Sequence, residues 1–225
     1  QAWREHWKLG RWVGASRIVG HLGSDPLLLW FLTFAVGASS AGAFAACLTV
    51  AFLTNPLVLG VGLYLTPTLS ARFAEGGVRA VTRYALGTTV GLAVVFTAFI
   101  AAVAVGGDTL LVTVYGPAYG GLGPAASLVA LAVALGALSL GATSALLVIE
   151  RPALNLVASV LGLAAMLASA SMLIPAYGVV GAALSFCAGN ATQLLSRLVL
   201  LARVVAAGPD RRPAPMEFLR GREAL

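Results

Sequence analysis

Two sets of polar side chains interrupt an otherwise apolar sequence. Arg17, His21 and Asp25 recur at i, i+4 and i+8, while Asn190, Gln193 and Arg197 recur at i, i+3 and i+7. On a helix each set occupies one face. Ionisable groups at membrane depth are costly and mark pathways or binding sites by default. An arginine suits phosphate, because its planar fork donates two parallel hydrogen bonds and keeps its charge. These six residues are the candidate lining of a substrate cavity, with Arg17 and Arg197 at its cytoplasmic mouth. The competing reading is that both arginines snorkel to the headgroups. Asn55 precedes Pro56, and its amide has an ordinary task in satisfying backbone groups freed by the proline.

Other chemistry finds little support. The two histidines, His6 and His21, lack metal-ligand spacing, and Cys47 and Cys187 both fall in apolar runs. Nothing resembles a phosphate-cradling loop or a nucleophile elbow. No catalytic residue, metal or cofactor is therefore assigned.

The elements that must position these side chains follow from composition. The 225 residues are 60% hydrophobic and only 10% charged, and the mean hydropathy is +0.95. A soluble domain is about half apolar and about a quarter charged, so the expected solvent is a bilayer. The apolar runs do not alternate, which favours helices over a barrel. The sequence predicts an all-α membrane protein, a bundle of six transmembrane helices. The spans are Trp12–Val36, Ala41–Leu65, Val81–Val105, Pro124–Ile149, Leu154–Leu173 and Val179–Leu201. They divide the chain into an N-terminal segment (1–11), the bundle (12–204) and a flexible tail (205–225).

Charge placement sets the orientation. Gly37–Ser40, the 106–123 connection and Pro175–Gly178 carry no Lys or Arg. Arg72, Arg79, Arg83 and Arg151 occupy the alternate connections, with Arg203, Arg211, Arg212, Arg220 and Arg222 in the tail. The positive-inside rule then places both termini in the cytoplasm. It also explains a pI near 10.0 without nucleic acid as a partner.

Several local patterns, in order, resemble the C-terminal half of a polysaccharide-export flippase of the MATE-like exporter superfamily. Trp7-Lys8-Leu9-Gly10-Arg11-Trp12 is similar to the start of the seventh helix. Thr66-Pro67-Thr68-Leu69-Ser70 is similar to the end of the next. Tyr115-Gly116-Pro117-Ala118-Tyr119 resembles an external turn, and Glu150-Arg151-Pro152 a cytoplasmic one. Tyr177-Gly178-Val179-Val180-Gly181-Ala182-Ala183 resembles the start of the last helix. The resemblance implies two six-helix bundles around a cavity, alternating access, and a polyprenyl-linked oligosaccharide precursor as cargo in the bacterial inner membrane. The partners it implies are membrane lipids, that glycan, and either a missing N-terminal half or a second copy. A lipid II flippase, a drug/cation antiporter and a non-transporting scaffold in glycan assembly are the alternatives.

Overall fold

The computed structural model describes residues 14–15, 18–20 and 25–207. The expected N-terminal segment, residues 208–225 of the tail, Arg17 and His21 lie outside them. The described chain is almost wholly helical: α1 (Asp25–Ala35), α2 (Ala38–Ala51), a 3₁₀ turn at Phe52–Thr54, α3 (Asn55–Tyr115), a second 3₁₀ turn at Pro117–Tyr119, α4 (Gly123–Leu138), α5 (Leu140–Val148) and α6 (Pro152–Ala206).

Instead of six separate helices, four helical stretches among the described residues are long and apolar enough to cross a membrane. They are Ile18–Ala35, Ala38–Tyr115, Gly123–Val148 and Pro152–Ala206. The expected second and third spans are merged, as are the fifth and sixth. The cause is local. The expected loops shrink to glycine turns, Gly76-Gly77 in α3 and Gly178 in α6, and helical hydrogen bonding runs up to them on both sides.

Those turns nevertheless reverse the chain. Gly77 has φ 61° and ψ −156°, and Gly178 has φ 54° and ψ −123°. Both conformations are cheap only without a Cβ. In a straight helix Arg72 and Tyr84 would stand ~18 Å apart, yet the Arg72 guanidinium lies 5.7 Å from the Tyr84 ring centre. Residues 55–75 and 78–115 therefore run side by side. The two legs of α6, 152–177 and 179–206, do the same. A Cβ on Gly162 would stand 2.9 Å from the Gly189 carbonyl oxygen, and one on Gly189 would stand 2.8 Å from the Met166 Cβ. Small residues allow that approach, which replaces the hydrophobic drive that lipid does not supply between helices.

The core divides into layers along the bundle. At the Gly178 end Leu28, Leu32, Phe44, Leu111, Val129, Met166, Ile174 and Phe186 pack together. Leu92, Phe96, Ala134 and Ala137 form a middle layer. At the Gly77 end stand Leu65, Leu69, Val81, Ala85, Leu146 and Leu201. Outward-facing side chains such as Phe34, Leu63 and Val105 remain apolar and exposed, as contact with acyl chains requires.

Candidate functional site

Between the middle layer and the Gly77-end core, polar side chains from three stretches converge. The break between α4 and α5 at Ser139 organises them. The Ser139 N–H donates to the Gly136 carbonyl at 3.2 Å, a tightened turn, and its hydroxyl donates to the same oxygen at 2.8 Å. That hydroxyl keeps lone pairs for a second partner, and Arg197 Nη1 donates to it at 2.6 Å. Arg197 Nη2 donates to Ser159 Oγ, on the opposite leg of α6, at 3.2 Å. The arginine thus ties both legs of α6 to the break between α4 and α5.

Its environment is closed. Arg197 is 8% exposed, and its Nε makes no hydrogen bond. Among the described residues the single ion pair is Arg72–Glu75, at 3.2 Å, so no described carboxylate neutralises Arg197. One turn from Ser159, Asn155 donates from Nδ2 to the Thr143 carbonyl at 3.0 Å. Its Oδ1 is buried without a donor. Nearby, Thr89 donates to the Leu138 carbonyl at 3.2 Å, across a contact so close that a Cβ on Gly141 would stand 2.5 Å from the Ala85 carbonyl oxygen. The layer therefore combines one uncompensated cation, one orphan donor and one orphan acceptor. In native interiors nearly every buried polar group is paired, so such exceptions call for an explanation.

The candidates from the sequence separate here. Arg197 turns into the bundle instead of snorkelling. It lies nine residues before the end of α6, ~13 Å along the helix. Asn190 donates to the Phe186 carbonyl at 3.0 Å on its own helix. Its Oδ1 faces Gly136, standing 3.0 Å from where a Cβ would be. Gln193 covers Gly162, its Cγ at 2.7 Å from a Cβ position there. Asn190 and Gln193 thus pack against glycines of two different helices. Asp25 is half-buried where the described part of α1 begins. No hydrogen bond or ion pair joins it to Arg197 among the described residues. Arg17 and His21 lie outside the described residues.

Ser139, Ser159, Asn155 and Thr89 escaped sequence reasoning. A serine within an apolar helix usually bonds back to its own helix, as Ser185 does to the Gly181 carbonyl. The available signal was the lack of any carboxylate at a helical spacing from Arg197, which obliged its partners to come from distant stretches of the chain.

The described residues form an almost wholly helical bundle suited to a bilayer, enclosing an arginine that no described carboxylate compensates. Comparison with protein-family models, curated proteins and solved structures yields no match.

Proposed function

We propose that this chain is a transport domain of the bacterial cytoplasmic membrane that carries a polyprenyl-linked oligosaccharide across by alternating access. Arg197 receives the cargo's anionic phosphate end. The observation that carries this reading is the buried guanidinium with no described counter-charge. A cation at membrane depth needs an anion, and an intramembrane ionisable group is retained at a cost. The serine hydroxyls at 2.6 and 3.2 Å hold the fork where phosphate oxygens would replace them once the helices part. An unneutralised cation also disfavours the drug/cation antiporter alternative, since a cationic substrate would be repelled. The ordered resemblance in the sequence supplies the glycan. In this reading α3 and α6 each cross twice, making six passes with both termini in the cytoplasm. The facing wall comes from an N-terminal half or a second copy.

Two measurements test it. Single cysteines at Ser39, Asp108 and Ala176 should label from outside, and those at Arg79 and Arg151 only after the cytoplasmic face is opened. External labelling at Arg151 overturns the six passes. In liposomes bearing the complete transporter, Arg197→Gln should lower flipping of a fluorescent polyprenyl-diphosphate glycan at least tenfold, with Arg197→Lys partly active. Full activity of a normally inserted Arg197→Gln overturns the phosphate assignment.

A further inference from the structure

The second leg of α3 shows one outward face that a single threonine interrupts. At 100° per residue, Arg79, Arg83, Leu86, Val90, Val94, Thr97, Ala101 and Val105 fall within a sector of about 100°, and all are exposed; the Thr97 hydroxyl is satisfied on its own helix by the Ala93 carbonyl at 2.7 Å. From Leu86 to Val105 the apolar part runs roughly 19 residue steps, or ~29 Å, against a hydrocarbon core of ~30 Å. Such a face fits the acyl region with nothing to spare. Arg83 and Arg79 then stand ~5 Å and ~10 Å beyond its edge, which is the depth of the headgroup phosphates.

Neither arginine is neutralised by a described neighbour. Glu75, the acidic residue of the adjoining turn, is engaged by Arg72 at 3.2 Å, and Arg72 also lies over the Tyr84 ring. Directly along the face from Arg83, Gly87 and Gly91 present bare backbone, with open space where a side chain would begin. We infer that Arg79 and Arg83 bind the phosphate of an anionic diacyl phospholipid, whose glycerol and upper acyl chain lie along Gly87 and Gly91. Two guanidinium groups one turn apart attract a headgroup of net negative charge. They disfavour phosphatidylcholine, whose quaternary ammonium would meet the second arginine. This site depends on the fold alone and stands apart from Arg197 and from the transport reading.

The test uses the full chain in phosphatidylcholine bilayers with spin-labelled phosphatidylglycerol or phosphatidylcholine as probe. The expected result is a severalfold preference for phosphatidylglycerol in the motionally restricted spectrum. Arg79→Gln/Arg83→Gln should bring the ratio close to one, and Gly87→Leu should lower it with both charges retained. An independent measurement on the unaltered chain uses phosphatidylglycerol with a diazirine near the glycerol, whose adducts should concentrate on residues 79–91. The inference is overturned by a ratio near one in the unaltered chain, by a ratio unmoved by the double substitution, or by adducts falling elsewhere. Disulfide cross-linking between two Gly87→Cys chains in the membrane would also overturn it, making this face a helix–helix contact.

Discussion

Replacing Arg197 with methionine sets two opposed effects against each other. The substitution removes two charge-assisted hydrogen bonds, each contributing ~1.5–3 kcal/mol in a soluble interior but averaging nearer ~0.6 kcal/mol between membrane helices. It also removes the penalty of holding an ion out of water, which is several kcal/mol after relaxation. The structure decides which effect wins. No described carboxylate offsets the charge, Nε makes no hydrogen bond, and the Ser139 hydroxyl keeps its own bond to the Gly136 carbonyl at 2.8 Å. Ser159 can turn to its own helix, as Thr89 and Ser127 already do. Methionine fills a similar length with an adaptable apolar chain. Arg197→Met should therefore leave the unfolding free energy unchanged or raise it by ~1–3 kcal/mol, while phosphate-dependent transport falls. Steric trapping of the full chain in bicelles measures that quantity. A loss of more than ~2 kcal/mol would identify the guanidinium as a structural clamp and refute the reasoning that it is kept for binding.

Two further outcomes follow from single residues. Glu150 is the one described non-glycine residue at positive φ, 60°, in the turn where the Arg151 N–H returns to the Leu146 carbonyl at 2.9 Å. Glu150→Gly should stabilise the chain by ~1 kcal/mol, read as a higher thermal midpoint in detergent, and a lower midpoint refutes it. Asp108 Oδ1 accepts from the N–H groups of Gly121 at 2.8 Å and Gly123 at 3.1 Å. Asp108→Ala should cost ~1–3 kcal/mol and deprotect both amides in hydrogen exchange, whereas unchanged exchange would show that the carboxylate does not hold this turn.

The two ends of the stretch Gly123–Val148 were legible, though not its break at Ser139. Pro124 stands at a first helical turn, where its missing N–H costs nothing, and Glu150-Arg151-Pro152 marks the exit, so Pro124–Ile149 coincides closely with Gly123–Val148. The region 66–80 was misread because Arg72, Glu75 and Arg79 look like loop residues once the apolar run ends. They are good helix formers: the first leg of α3 carries Arg72 and Glu75 up to Gly76, and the second leg takes in Arg79 just past Gly77. Pro175–Gly178 was read as a connection for sound reasons, but Pro175 lies inside the helix and only Gly178 leaves helical geometry. The polar faces of Asn190, Gln193 and Arg197 were visible from spacing. Their partners were not, because Ser139 and Ser159 precede Arg197 by 58 and 38 residues, and no local pattern encodes which helices become neighbours.

The glycine turns also constrain how this sequence can change. A loop of several residues absorbs an insertion or deletion, but Gly76-Gly77 and Gly178 leave no slack between their legs. Removing one residue between Gly178 and Gly189 would rotate everything beyond it by about 100° and shift it by about 1.5 Å. The guanidinium would then swing away from Ser139 and Ser159, and Gly189 would no longer meet Gly162. Length variation in descendants of this chain should therefore collect around residues 116–122 and 149–151, while the hairpin legs diverge by substitution alone.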